Sequence, residues 1–153
     1  MSRFTIKNLM DVDDSAGAYA PQLEARFARK HIGSEHLGVS YLRFAAGYRF
    51  PLGHSHTMQE EAYVVVAGSG WIKLDDEILA LDRWDIVRVA PEPVRSFEAG
   101  PEGLEIIAVG ADRPEGGDGL MIHDWWTEQE SCERLGVSTE SLAAVQKPQP
   151  EKN

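Results

Sequence analysis

A chain of 153 residues in which 42% of side chains are hydrophobic and 26% charged has the size and composition of one globular domain. A net charge of -10 opposes contact with a phosphate backbone or an anionic membrane surface, and the lone cysteine, Cys132, rules out an intramolecular disulfide and a cysteine-based zinc site. No run approaches the ~18 apolar residues of a membrane span, and residues 1–10 lack the apolar core of a signal peptide, so the expectation is a cytoplasmic protein with neither nucleic acid nor membrane as partner.

Along the chain, short alternating apolar runs are broken about every 8–12 residues by Gly, Pro or Asp, the rhythm of an all-β domain. Strands are predicted over residues 23–31, 36–44, 54–57, 61–66, 70–74, 78–81, 86–89, 94–98 and 104–109, which suits a two-sheet sandwich or barrel. Ala67-Gly68-Ser69-Gly70 and Asp75-Asp76-Glu77 read as turns, and Pro91-Glu92-Pro93 cannot lie in a central strand. The run DRPEGGDG, residues 112–119, reads as an exposed linker leading to an apolar patch, His123-Asp124-Trp125-Trp126. A short helix is predicted over 127–135, with Thr127 as cap, Glu130 three residues on and Gly136 as its stop, and a second over 138–145. Cys132 falls on the first of these, where packing is its simplest role. The polar end KPQPEKN is predicted to be disordered. The chain thus divides into an arm with an added strand (1–35), a barrel (36–110), and a linker with short helices and tail (111–153).

The chemistry concentrates in residues 47–68, GYRFPLGHSHTMQEEAYVVVAG. His54 and His56 are two apart, so on a strand both point to one face. Glu61 has the wrong parity for a continuous strand, which requires residues 57–60 to turn before it can rejoin the pair. After that turn Glu61, Tyr63 and Val65 share a face, and Glu60 points away. Two imidazoles and a carboxylate on one side of an ion form a facial triad with open positions opposite, suited to iron and tolerated by manganese, nickel, cobalt or zinc. The bland alternative is a pair of polar residues ending a strand, which the following Glu and Gly disfavour.

This stretch resembles the first cupin motif, G-x5-H-x-H-x3,4-E-x6-G. Six residues lie between Gly47 and His54, four between His56 and Glu61, and six between Glu61 and Gly68, a deviation of one residue at one spacing. The resemblance makes His54, His56 and Glu61 the metal-ligand positions and implies a divalent transition metal. The second motif, G-x5-P-x-G-x2-H-x3-N, would place Trp84, Ala90, Glu92, Arg95 and Ala99 at its signature positions, none of which carries the consensus residue. Asp85 and the apolar alternation before Pro91 still resemble the family, so the likeness covers about residues 36–110. It implies an all-β double-stranded β-helix, that is, an antiparallel barrel, here followed by short C-terminal helices.

Arg95 stands where the fourth ligand would be, and a guanidinium cannot ligate a cation. It either points inward, pairing with Glu61 or an anionic ligand, or points outward as a surface charge. Trp84, Arg88 and Tyr63 are further candidates to line the pocket. His31, His36 and His123 are possible substitute ligands, though a solitary histidine is more often structural. Three functions follow from the resemblance: a metal-dependent oxygenase or isomerase acting on a small, anionic metabolite; a metal-free binding or sensor module in which Arg95 replaces the ion; and a dimer scaffold. A homodimer is expected by analogy, with residues 23–31 adding to a partner's sheet.

Overall fold

Alternating apolar residues place eight strands in a computed structural model that describes residues 2–127. These are β1 (Leu23–Phe27), β2 (Gly38–Phe44), β3 (Gly53–His56), β4 (Glu61–Leu74), β5 (Glu77–Leu81), β6 (Ile86–Val89), β7 (Arg95–Gly110) and β8 (Gly119–Ile122). A 3-10 turn at Leu9–Asp11 is the helical segment among the described residues. Of the helix predicted over 127–135 only Thr127 is described, with no helical assignment, and the rest of it, the helix over 138–145, Cys132 and the polar tail lie outside the described residues.

All pairings are antiparallel, and β4 and β7 form the spine. They run side by side from Glu61 opposite Gly110 to Leu74 opposite Arg95. The other strands add to their free edges in two groups. One gives the order β1-β2-β7-β4-β6 and the other β8-β3-β7-β4-β5, so both long strands pass through both sheets. Inward residues of the two sheets meet in one core. Ile72 and Ile106 are fully buried, Phe44 and Phe97 lie 5.8 Å apart between ring centres, and Tyr63 and Phe97 5.0 Å. Burying each such aliphatic side chain contributes about 1.5–3 kcal/mol. The result is the all-β antiparallel barrel that the strand pattern implies.

Three readings of the sequence need correction. Ala67-Gly68-Ser69-Gly70 is not a chain-reversing turn but a pair of register shifts inside β4, and Gly100–Gly103 lies likewise inside β7. Gly68 and Gly103 adopt φ of 69° and 82°, and a Cβ on Gly68 would sit 2.0 Å from the Gly103 carbonyl oxygen. Glycine therefore lets the two strands touch where the sheet creases, rather than breaking them. β1 ends at Phe27, because residues 28–34 fold into turns closed by bonds such as Ile32 N–H to Ala28 O at 3.0 Å. The expected linker ends in a strand, with Gly119 to Ile122 pairing with His56 to Gly53.

Past β8 the aromatic patch covers the outer face of the spine. The Trp125 ring packs on Gly53, where a Cβ would meet it at 2.8 Å. Lys73 donates to Trp125 O at 2.6 Å and lies 4.4 Å from that ring's centre. Trp126 Nε1 donates to Phe50 O at 2.9 Å. This clamps β3, the strand carrying both site histidines, against the barrel.

Candidate metal centre

His54 and His56 reach the interior from β3, where the two-residue period gives both the same face. Residues 57–60 then leave the strand, and β4 opens with Glu61 facing back toward them. Glu61 Oε2 lies 3.4 Å from His54 Nε2 and 3.2 Å from His56 Nε2, and the three donor atoms fall within 4.8 Å of one another. The imidazoles stand edge to face, 5.3 Å between centres. Such separations suit ligands that are each about 2.0–2.2 Å from a shared ion.

Arg95 points inward and is completely buried. Its Nη2 donates to Glu61 Oε2 at 3.0 Å, its Nε to Tyr63 Oη at 3.2 Å, and its Nη1 to the carbonyls of Pro91 and Pro93 at 2.9 and 2.8 Å. Tyr63 donates in turn to the same Glu61 oxygen. Four of the five guanidinium N–H groups are thus held by the protein, so Arg95 fixes Glu61 and the 91–93 turn and is not free to clamp a ligand. Tyr63 belongs to this buried network and does not line open space. Burial alone would raise the Glu61 carboxyl pKa, but hydrogen bonds from His54, His56 and Tyr63 outweigh it and hold the pKa well below the usual range.

Trp84 and Arg88 do not join the site. Arg88 lies opposite Ala62, on the outward parity of β4 and β6, and pairs in solvent with Glu60 at 2.9 Å. Trp84 occupies a turn at φ 75° and is exposed, with Arg83 5.0 Å from its ring centre. His36 pairs with Asp112 at the surface, and neither it, His31 nor His123 belongs to the cluster.

A residue the sequence reading passed over completes the arrangement. Asp118, on the supposed linker, has a side chain only 2% exposed, and its Oδ1 lies 2.8 Å from His56 Nδ1. Its Oδ2 accepts the Met58 and Gln59 backbone N–H groups, each at 2.8 Å. Burial raises the Asp118 pKa, yet those two N–H groups and His56 overcome it and lower the pKa to about 2. Nothing in a Gly-rich polar run announces such a contact. The rim opens beside His54, whose side chain is 26% exposed against 9% for His56, and Met121 faces His54 in register from β8.

The barrel with its two crossing long strands has the architecture of solved cupin structures. No family model matches the sequence, and neither does any curated protein. Solved structures do match. A cupin protein from Bacteroides fragilis superposes with a TM-score of 0.61 at 21% identity, over 73% of this chain and 86% of that one. KdgF from Halomonas sp. gives 0.61 at 15% identity, over 73% and 98%. A tryptophan variant of oxalate decarboxylase from Bacillus subtilis gives 0.64 at 20% identity over 95% of this chain, which spans only 41% of that enzyme. The likeness establishes the fold: the described residues form a barrel of the cupin type. No helix among the described residues is long and apolar enough to cross a membrane.

Proposed function

We propose that the protein binds a divalent transition metal through His54, His56 and Glu61, and that the open side of the ion takes a small anionic metabolite. The carrying observation is a conflict of lone pairs. Asp118, an ionised acceptor, accepts a hydrogen bond from His56 Nδ1–H, so that in the neutral ring the Nε2 lone pair faces the Glu61 carboxylate at 3.2 Å. Two acceptors do not rest at that distance without a cation between them, either a metal ion or a proton. A bound ion would supply Lewis acidity and a positive anchor for a carboxylate. The chain itself orients His56 through Asp118, holds Glu61 ionised through Tyr63 and Arg95, and leaves His54 at the entrance. Structural neighbours named for acting on oxalate and salicylate, both small carboxylates, support an anionic ligand.

A second reading has its own observation. Arg95 already neutralises Glu61 at 3.0 Å, so a metal-free binding module with His56 protonated is consistent with the same contacts. Elemental analysis of protein purified without a histidine tag, followed by calorimetric titration with Co²⁺, separates the two. Stoichiometric metal or a saturable isotherm that His54→Ala and His56→Ala abolish supports the metal centre. A flat isotherm with no retained metal leaves the metal-free module.

A homodimer belongs to the same proposal. Addition at the β1 edge is obstructed at Ala25, whose N–H and C=O already bond Asp14 and Ser15. Light scattering at twice the 17.0 kDa monomer mass would support a dimer, and a monomer mass would refute it.

A further inference from the structure

The geometry points to Asp118 as the positioning residue that makes His56 a competent ligand, and to the strap of residues 111–118 as a working part of the site. This rests on reading His54, His56 and Glu61 as a metal centre. A histidine can present Nε2 to an ion only if its other nitrogen carries the proton, and that tautomer is chosen by whatever Nδ1 meets. Here carboxylate oxygens, which can only accept, flank both nitrogens, and the closer one, Asp118 Oδ1 at 2.8 Å from Nδ1 against Glu61 Oε2 at 3.2 Å from Nε2, claims the proton. The Asp118 carboxylate grips Met58 N–H and Gln59 N–H through its other oxygen. Those residues form the turn that restores Glu61 to the inward face, so one side chain fixes the ring of one ligand and the approach of another.

The strap is built to deliver it. Ala111 N–H donates to Glu60 O at 2.9 Å, and Ala111 O accepts from Gln59 Nε2 at 2.9 Å and Arg29 Nη2 at 3.0 Å. Gly116 and Gly117, at φ 85° and 88°, then turn the chain back toward the site. Gly119 passes the His56 ring, where a Cβ would lie 3.8 Å from Cε1.

A cap for the turn alone would need only one acceptor oxygen, which Asp118→Asn retains. The amide NH₂ of that variant must then face His56 Nδ1, since turning it toward two N–H donors would leave three donors together. It needs an acceptor there, and so drives the imidazole proton to Nε2. In the metal-free protein at about pH 9, where an ordinary imidazole is neutral, nitrogen NMR of His56 should find the proton on Nδ1 in the natural protein and on Nε2 in Asp118→Asn. Co²⁺ affinity of Asp118→Asn should fall by about 10–100-fold, with the thermal midpoint within about 2 °C of the natural protein. Asp118→Ala should lose both affinity and stability. The same tautomer in both proteins, or unchanged Co²⁺ affinity once the tautomer has switched, overturns the assignment. If the natural protein binds no Co²⁺, the metal reading fails by itself, and the tautomer comparison alone decides whether Asp118 positions His56.

Discussion

Replacing Arg95→Met removes a completely buried guanidinium while leaving a side chain long enough to occupy part of its volume. Breaking a buried ion pair by deleting one partner costs about 3–5 kcal/mol. Here the lower figure applies, because Glu61 keeps its hydrogen bonds to Tyr63 and both histidines and is 15% exposed. Pro91 O keeps a bond from His56 N–H at 2.8 Å, whereas Pro93 O loses its bond from Arg95 Nη1, adding about 1 kcal/mol. The expected destabilisation is therefore about 4 kcal/mol, or roughly 8–16 °C in thermal midpoint for a chain of this size. Divalent affinity should move the other way, rising by at least about tenfold, a change of about 1.4 kcal/mol, because a cation is removed from beside the ligand carboxylate. Urea unfolding with chelator present and Co²⁺ calorimetry give the two readings. A variant within about 1 kcal/mol of the natural protein, or one binding Co²⁺ no better, would refute the claim that Arg95 anchors Glu61 and opposes the ion.

Protonation of His56 should be visible in the apo protein. Its hydrogen bond to Glu61 raises the imidazole pKa, against burial, with Asp118 adding to the rise. The associated stability is present below the unfolded value of about 6.5 and is lost as pH rises through the folded one, so the urea midpoint should fall as pH rises above about 6.5 and flatten in His56→Gln. A rising or level midpoint in the natural protein counts against the Glu61 contact. Metal affinity should show the opposite slope, increasing with pH as protons leave the ligands. Gly68→Ala should cost at least about 3 kcal/mol, since it combines positive φ with a carbonyl 2.0 Å from the new Cβ, while Gly47→Ala, at similar φ in open space, should cost about 1 kcal/mol in the same denaturation assay. Arg88→Ala breaks only an exposed pair with Glu60 and should alter stability by less than about 0.5 kcal/mol and leave Co²⁺ binding unchanged in calorimetry.

The local period of the sequence was sufficient for most strands and for the common face of His54 and His56, because both depend on neighbours a few residues away. Glu61 was legible through the same logic, once parity demanded a turn before it. The crease at Gly68 was not, since glycine in a strand signals a turn or a bulge equally well, and only the approach of Gly103 decides between them. Asp118 was hidden for a related reason: its contacts to His56, Met58 and Gln59 exist only after the chain has travelled along β7 and returned. Trp84 stands at a signature position in the motif register and Arg88 close to it in sequence, but strand parity sends Arg88 to solvent and a left-handed turn sends Trp84 out. Arg95 was placed by that same register, but how many of its donors are occupied depends on the 91–93 carbonyls, which no spacing rule reveals.

The pairing of β4 with β7 also imposes an order of assembly. Contacts close in sequence sit at the Leu74–Arg95 end and the most distant ones at Glu61–Gly110. Because loop-closure entropy grows with separation, the cheapest order of zippering is from the near end toward the far one, past the glycine crease. The site gathers residues from β3, from the far end of β4 and from a strap that follows β7, so its ligands meet only after the zipper has closed. A chain stalled partway would hold a formed hairpin and a core fragment while its histidines and glutamate were still apart, and an ion able to join them would act on the last step of folding.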